Sequence, residues 1–336
     1  MSMRVLVTRD GLPGRGVERL GAVAEPVFHT GDGKPEPAEL AALAAGADAV
    51  LALGNDLVDA ALLDAAGPSL RVVALASMGY DNVDAAAAAE RGVVVTHTPG
   101  VLAETTADLA FALILAARRR LGAASADLAR GGWDVFRMHD YLGLDVHGAT
   151  LGLIGYGQIG RAVARRAQGF GMRVVHHDPY ARVDDALSAA TDLRSLLAQS
   201  DIVSLHVPLT DATRHLISVR ELALMKPTAT LISTARGGVV DEDGLLHAVR
   251  EGRLHSAGLD VHEREPMGTD VSPLAAEENV VMLPHIGSAT HATRAAMVDL
   301  AVDNILDVLA DRPARTALPG TSAVPGRPAR ATGTPA

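Results

Sequence analysis

The 336-residue chain contains no cysteine. A structural disulfide, a redox CxxC pair and a thiolate nucleophile are therefore excluded. Aromatic residues are scarce, at 3% against 48% hydrophobic overall, so Ala, Val and Leu must fill the core. Positive charge is also short. Thirty Lys and Arg stand against forty Asp and Glu, a formal net charge of -10 with no long basic run. Nucleic-acid binding needs concentrated Lys and Arg to meet phosphates, so no nucleic-acid partner is expected. No uninterrupted apolar run reaches the roughly 18 residues of a membrane span. Met1 to Asp10 reads as a first strand rather than a signal peptide. The expectation is a soluble, cytoplasmic protein with no membrane partner. The length suggests two domains, or one large domain with insertions.

What is present is a glycine turn in a telling context. Leu151 to Ile154 reads as a buried strand, followed by Gly155, Tyr156, Gly157, Gln158, Ile159 and Gly160. The three glycines have the spacing G-x-G-x-x-G. The first permits a tight turn, the second lets a pyrophosphate approach the backbone, and the third lets helix pack on strand. Amides at the helix start then hold the phosphates. A helical pattern follows from Arg161 to Phe170, then a strand from Met172 to His177. Asp178 stands about where an acid meets an adenosine ribose. A carboxylate there accepts hydrogen bonds from both ribose hydroxyls and repels the extra phosphate of NADP, so NAD is the expected cofactor. Arg182, the nearest basic residue, lies farther on, past Pro179.

The first hundred residues carry no such fingerprint. Strands are expected at Arg4 to Thr8, Val23 to Phe28, Ala49 to Leu53, Leu70 to Leu75 and Val93 to Thr96. Helices are expected at Gly14 to Leu20, Ala38 to Ala45 and Asp59 to Ala65. This alternation indicates a parallel sheet. The loop Ala76 to Asp84 follows the carboxyl end of a strand, where open sheets bind ligands. A glycine there, Gly79, lets a small anion reach backbone amides. The alternative is a turn and helix cap made by Asp81 or Asn82.

Val101 to Arg120 reads as a long apolar helix. Its closing Arg118, Arg119 and Arg120 suit a helix C-terminus, and otherwise form a solvated face. After a second helix, Ala123 to Arg130, the stretch Gly131 to Tyr141 holds the single Trp and several apolar residues without clear period. It reads as an arm that packs on a second subunit. Beyond the fingerprint, strands end at His206-Val207-Pro208, at Thr234-Ala235-Arg236-Gly237, at Asp260 and at Pro284-His285-Ile286-Gly287. Helices are expected between them at Leu187 to Ala198, Ser218 to Leu224 and Asp241 to Glu251. This is a doubly wound pattern.

Three residues form a chemical set. Arg236 offers a planar fork of donors for a carboxylate. His285 exchanges a proton near neutral pH. An acid behind it, Glu265, would hold its ring, with Glu263 and Asp260 as rivals. His176, His177, His247 and His255 have no such setting and read as surface or packing residues. No HExxH or facial-triad spacing exists, so no metal is expected.

These motifs, in this order, resemble the D-isomer-specific 2-hydroxyacid dehydrogenases over residues 3 to 312. Leu151 to Gly160 is similar to the family's nucleotide fingerprint, and Thr234 to Gly237 to the segment of its substrate-binding arginine. Gly258 to Pro266 resembles the segment whose second glutamate pairs with the catalytic histidine, which puts that role on Glu265. Pro284 to Thr290 resembles the segment bearing that histidine. His262 departs from the usual Phe. The resemblance implies two α/β domains with parallel sheets, a doubly wound Rossmann nucleotide domain inserted into a smaller flavodoxin-like substrate domain. Residues 1–98 would begin the substrate domain. Residues 99–286 would form the NAD domain, with a dimerisation arm at 100–145. Residues 287–312 would return as a helix, and 313–336 would form a flexible tail with no apolar pattern to bury.

The same resemblance implies a homodimer that transfers hydride between NADH and a small 2-oxo acid, glyoxylate or hydroxypyruvate. The residues Trp133, Phe136, Met138 and Tyr141 lie in the region that carries this substrate expectation. Leu53, Met78 and Gly79 are the expected substrate contacts beside Arg236. The expected cofactor contacts are Thr106, Gly155, Tyr156, Gly157, Gln158, Ile159, Gly160, Asp178, His206, Val207, Pro208, Thr213, Thr234, Ala235, Arg236, Asp260, His285 and Gly287. Domain closure would exclude water and align the nicotinamide. D-3-phosphoglycerate oxidation is the alternative reaction, and phosphite oxidation a distant one. A corepressor-like, NAD-sensing protein is the alternative outside enzymes, although such a protein has no need of Arg236, Glu265 and His285 together.

Overall fold

Short buried runs of Val, Leu, Ile and Ala form the strands, and every ladder within the two sheets is parallel. Parallel sheets are covered on both faces, which is why these runs are continuous rather than alternating. The computed structural model describes residues 2–31, 33–181 and 184–321. The chain divides into unit 1, Met1–Leu102 with Ala289–Ala336, and unit 2, Ala103–Ser288.

In unit 1, β1 (Arg4–Val7), β2 (Glu25–Phe28), β3 (Ala49–Ala52), β4 (Val72–Leu75) and β5 (Val94–Thr96) form one sheet in the order β2-β1-β3-β4-β5. This is the flavodoxin-like order. Between them run α1 (Gly16–Gly21), α2 (Pro37–Ala44), α3 (Ala60–Ala66) and α4 (Ala85–Glu90). Helix α4 has five alanines and one glutamate, so no apolar period announces it. Its cap is Asp84, which accepts from the Ala87 amide, rather than Asp81 or Asn82. Asn82 instead donates its amide to the Asp56 carbonyl.

Unit 2 opens with α5 (Ala103–Arg118) and α6 (Leu121–Ala129), then β6 (Thr150–Ile154), α7 (Gln158–Gln168), β7 (Arg173–His177) and the short β8 (Ala189–Ala190). It continues with α8 (Leu193–Gln199), β9 (Ile202–Leu205), α9 (Val219–Leu222), β10 (Thr230–Ser233), α10 (Glu242–Arg250), β11 (Ser256–Leu259) and β12 (Val280–Met282). The sheet order is β12-β11-β10-β9-β6-β7-β8, with the chain reversing direction between β6 and β9. That reversal is the topological switch point of a Rossmann sheet. The helix expected from Leu187 begins only at Leu193. Asp192 caps it by accepting from Ser195, while Ala189 and Ala190 pair with β7 as an edge strand.

One apolar core covers each face of this sheet. Leu196, Leu205, Leu231 and Leu245 belong to one, and Phe111, Ile114, Leu151 and Val163 to the other. Arg118 is not on a solvated face. It is 5% exposed, and its guanidinium donates to the carbonyls of Asp145 and Asp201 at 3.0 and 2.8 Å. A planar fork reaches several carbonyls at once, so it ties the end of α5 to the loops before β6 and β9. Burial lowers its pKa, with Asp201 and Asp145 acting in the opposite sense. Among the described residues no helix is long and apolar enough to cross a membrane.

The chain then re-enters unit 1 as α11 (His291–Leu309), which packs on α1, β3 and β4 through Val298, Ala301, Val302 and Ile305. The expectation of a flexible tail from residue 313 fails for its first residues. Ala317 bridges Thr96, the Leu318 amide donates to the Val95 carbonyl at 2.8 Å, and Leu318 is 1% exposed. The Thr316 hydroxyl donates to the His97 carbonyl, and Thr321 bonds Val95. One buried leucine gives no periodic signal, yet the free edge of β5 supplies backbone partners. The rest of the expected tail, residues 322–336, lies outside the described residues. Ending the chain after Arg312 is expected to cost about 3 kcal/mol, from one leucine's burial and several hydrogen bonds. Thermal unfolding of chains ending after Arg312 and after Thr321 checks this. Equal midpoints would remove the structural role of residues 313–321.

Candidate active site

The glycine turn leaves β6 and enters α7. Gly155 has a φ of 92°, and a Cβ on it would strike the carbonyl of His206. A Cβ on Gly160 would strike the carbonyl of Gly155, so this position must be bare for α7 to pack. Gly157 differs, since nothing lies within 4 Å of where its Cβ would be. It is the N-cap of α7 and offers no side-chain cap, so the first-turn amides have no such partner. Open space, bare backbone and a helix N-terminus together fit a pyrophosphate. Gln158 is exposed and Ile159 half-buried beside it.

Tyr156 is buried at 1% exposure, and its ring stacks on His176 at 3.9 Å. The Arg161 guanidinium lies 4.4 Å from the centre of the Tyr156 ring and also pairs with Asp185 at 2.7 Å. Burial and then the hydrogen bond to Asp185 push the Tyr156 hydroxyl up to about 12. His176 receives the Ser188 hydroxyl at Nδ1 and donates from Nε2 to the Ala181 carbonyl, so it is a packing residue. Asp178 accepts from the amides of Tyr156 and Tyr180 at 2.7 and 2.8 Å. Each carboxylate oxygen retains acceptor capacity after one such bond. Arg182 lies outside the described residues.

Along the carboxyl ends of the neighbouring strands, His206 is bonded to Ser204 at Nε2 and to Thr234 at Nδ1. Burial pushes its pKa down to about 3, so this imidazole is neutral in the working range and brings no positive charge. Val207 is half-buried and Pro208 exposed, while Ala235 is buried. Thr213 donates to the Pro208 carbonyl at 2.6 Å and holds that turn closed. Thr106, from α5, donates to the Gly287 carbonyl at 3.2 Å.

His285 follows β12. Its φ of 53° lies in the left-handed region. Such backbone persists only where its surroundings hold it, and here they do. Asp260, 1% exposed at the end of β11, accepts from the Ile286 and Gly287 amides at 2.7 and 2.8 Å. Burial raises the Asp260 carboxyl above its usual range, against the pull of these two amides. His285 Nδ1 lies 2.6 Å from Glu265 Oε2, while Glu265 Oε1 accepts from the His262 amide at 2.7 Å. Burial pushes the Glu265 carboxyl up, but the bonds from His285 and the His262 amide outweigh it, and the pKa ends below the usual value. A carboxylate accepts, so Nδ1 carries the shared proton and Nε2 is left for chemistry.

The rival acids are occupied. Glu263 faces His215 at 2.9 Å, and Asp260 holds backbone. The spacing of three acids within six residues gave no means to separate them. His262 stands where the resemblance expects Phe, and it is buried with Nε2 donating to the Leu283 carbonyl at 2.8 Å. Arg236 is half-buried at the exit of β10 and donates to the Ala235 carbonyl at 2.8 Å. Gly237 next to it passes against the His262 carbonyl with no room for a Cβ.

Unit 1 carries the Leu53 and Met78-Gly79 loops at the carboxyl ends of β3 and β4. Asp56, fully buried, accepts from the Leu53 amide, the Thr8 hydroxyl and Arg9 at 2.8, 2.6 and 2.9 Å. This network fixes the Leu53 loop, and no motif announces it because its members lie far apart in the chain.

Residues 111–287 match the family model described as "D-isomer specific 2-hydroxyacid dehydrogenase, NAD binding domain". A glyoxylate reductase of Korarchaeum cryptofilum is 44% identical over 310 residues, 91% of this chain and 92% of that protein. A glyoxylate/hydroxypyruvate reductase B of Escherichia coli is 45% identical over 273 residues, 80% of this chain and 83% of the other. The crystal structure of an NADPH-dependent glyoxylate/hydroxypyruvate reductase of Sinorhizobium meliloti, in complex with NADP and malonate, superposes with a TM-score of 0.85. It is 34% identical and covers 97% of this chain and 100% of that one. Two parallel sheets in these strand orders, the glycine turn and this match over most of the chain lead to one conclusion: the chain belongs to the D-isomer-specific 2-hydroxyacid dehydrogenases, an oxidoreductase family with a Rossmann-type NAD-binding domain.

Proposed function

We propose that the protein reduces a small 2-oxo acid, glyoxylate or hydroxypyruvate, to the D-2-hydroxy acid with NADH. The observation that carries this is the His285–Glu265 pair at 2.6 Å, with Nε2 left as the proton donor. The bound nicotinamide supplies the hydride to the carbonyl carbon. The chain's own residues do the rest. The Gly157 turn and the first amides of α7 receive the pyrophosphate, and Asp178 receives the adenosine ribose. Thr106, His206, Val207, Pro208, Thr213, Thr234, Ala235, Asp260 and Gly287 are assigned to the same cofactor. Arg236 holds the substrate carboxylate and places charge where the alkoxide develops. His285 gives its Nε2 proton to that oxygen, and Glu265, bonded to Nδ1, holds the ring in the orientation that presents it. In unit 1, Leu53 and Met78 are assigned to the apolar wall and the Gly79 amide to the substrate carboxylate.

Loss of NADH absorbance with a panel of 2-oxo acids tests the reading. Turnover of glyoxylate or hydroxypyruvate is expected. No turnover on any member would overturn the enzyme reading, and strong preference for 3-phosphohydroxypyruvate would replace the small-acid one.

For the cofactor we infer a preference for NADH over NADPH of at least roughly tenfold, about 1.4 kcal/mol. The support is Asp178, whose carboxylate two backbone amides hold in one orientation. His176 is locked by its own bonds and offers an added phosphate nothing. The Sinorhizobium protein takes NADPH, so the comparison between cofactors is decisive. Equal efficiency with NADPH in the wild type would refute the preference. Unchanged preference in Asp178→Ser would move it to another residue.

We also infer a homodimer through residues 100–145. Leu128, Trp133, Phe136, Met138 and Leu142 are 59–81% exposed there, beside a groove of about 790 Å³ between α6, the arm and residues 275–282. Such a run of exposed apolar side chains suits a second copy of the same surface. Sedimentation of the dilute protein checks it, and an active monomer would exclude it.

A further inference from the structure

We propose that His97 and Ser77 are positioning residues for the substrate carboxylate, because together they set the two peptide planes of the Met78–Gly79–Tyr80 loop. The inference rests on the reading of that loop as the carboxylate seat. His97 Nδ1 lies 2.8 Å from the Met78 carbonyl oxygen. A carbonyl only accepts, so Nδ1 is the donor and the tautomer is determined. The Ser77 hydroxyl donates to the next carbonyl, that of Gly79, at 2.7 Å. Both peptide bonds are trans, the one cis bond described being Glu265–Pro266. In a trans peptide the C=O and the following N–H point in opposite directions. The Met78 carbonyl turned toward His97 therefore turns the Gly79 N–H away from it. The Gly79 carbonyl turned toward Ser77 turns the Tyr80 N–H away in the same manner. Among the described residues neither amide has an acceptor. Two adjacent, oriented donors without a partner suit a carboxylate.

Both positioning side chains are themselves held. The His97 ring meets the Tyr80 ring edge-on at 5.5 Å. Its backbone is fixed on both sides, the amide donating to the Thr316 carbonyl and the carbonyl accepting from the Thr316 hydroxyl. Ser77 sits against Gly54, where a Cβ would come within 2.9 Å of its own Cβ. Gly54 therefore lets the loop after β3 press on Ser77. The Thr98 amide donates to the Ser77 carbonyl at 2.8 Å. These contacts hold the backbone of Ser77 and His97, and the two side-chain bonds decide which way the amides of the loop face.

The carboxylate is untouched by hydride transfer, so its bonds count equally before and during the reaction and their loss appears in KM rather than kcat. Steady-state kinetics with glyoxylate and hydroxypyruvate, alongside fluorescence titration of NADH, provides the test. His97→Phe keeps a ring against Tyr80 and removes the donor. It is expected to raise KM about ten- to hundredfold, the scale of a hydrogen bond to a charged group, with kcat within about twofold. His97→Asn places an amide donor near the position of Nδ1 and is expected to restore most of the loss. Ser77→Ala should raise KM in the same sense, and NADH affinity should stay constant in all three. An unchanged KM in both His97→Phe and Ser77→Ala, or a loss that falls on kcat alone, would overturn the assignment. So would His97→Asn behaving like His97→Phe, since a donor would then be irrelevant. Should His97→Phe not fold, Ser77→Ala decides. A wild type inactive on every 2-oxo acid would sink the proposed function and this inference with it, a result distinct from an active wild type indifferent to the two substitutions.

Discussion

His285→Ala is expected to slow 2-oxo acid reduction by about 10²–10⁴-fold, the usual contribution of a general acid. NADH binding should survive, because the glycine turn, α7 and Asp178 lie on other parts of the chain from the His285 ring. The loss should fall on kcat and on kcat/KM together, the signature of an interaction made in the transition state. The pH profile separates the pair from a merely structural histidine. Reduction uses the charged ring, so activity is present at low pH and is lost as the pair gives up its proton. Glu265 shares that proton at 2.6 Å and its own pKa is held below the usual range by the bond. Glu265→Gln keeps the shape and removes the negative charge that favours the charged ring. The descending limb should then move to lower pH. An unmoved limb in Glu265→Gln, or retained reduction in His285→Ala, would overturn the assignment.

Gly237→Ala is expected to do comparable damage without removing any functional group. At the exit of β10 this glycine runs against the carbonyl of His262 and the amide of Glu263 at the exit of β11. Both obstacles are backbone, so no flexible side chain can swing aside. Overpacking of this kind costs typically about 1–3 kcal/mol, and more where nothing relaxes. Relief requires the two exits to separate, and they carry Arg236 on one side and the 262–265 turn on the other. A displacement near 1 Å at a reacting centre costs on the order of 10²-fold. The expected result is a lower unfolding midpoint together with a kcat/KM down by about 100-fold. Gly252→Ala is the control, since nothing lies within 4 Å of its Cβ position even though its φ is 67°. It should lose some stability to backbone strain and keep its activity. A fully active Gly237→Ala would show that the site tolerates movement of these turns.

The sheet strands and the glycine turn were legible because their signals are local and repeated. Apolar runs stand between breakers, and two of the three glycines, Gly155 and Gly160, answer backbone contacts that leave no room for a Cβ. What escaped was made by contacts between distant stretches. Helix α4 is an alanine run without a period, and β8 is two residues that owe their existence to β7. Leu318 is the one leucine in a stretch of Pro, Ala, Arg, Gly and Thr, and only the open edge of β5 makes it core. The acid behind His285 stood open among Asp260, Glu263 and Glu265 on spacing alone. Folding separates them by giving Asp260 two amides, Glu263 a histidine of its own and Glu265 the His285 ring. His97 and Ser77 left no motif, because a side chain that orients a peptide plane needs only one donor in the right place. Arg118 read as a helix end or a solvated face because sequence does not show the two loops, before β6 and β9, whose carbonyls its guanidinium reaches.

The return of α11 to unit 1 also sets an order of events at the ribosome. Val5, Val7 and Leu51 pack against Val298, Ala301 and Ile305, so that face of the first sheet has only partial cover, from Leu20 of α1 and its neighbours, until α11 emerges. The whole of unit 2 is synthesised in between, an interval of roughly 10–40 s at about 5–20 residues per second. Unit 2 is one continuous segment and has every residue of its two cores once Ser288 is out. It is therefore free to fold first. The nascent first sheet, meanwhile, leaves valine and leucine of that face partly exposed and is the natural client of a holding chaperone until α11 is made.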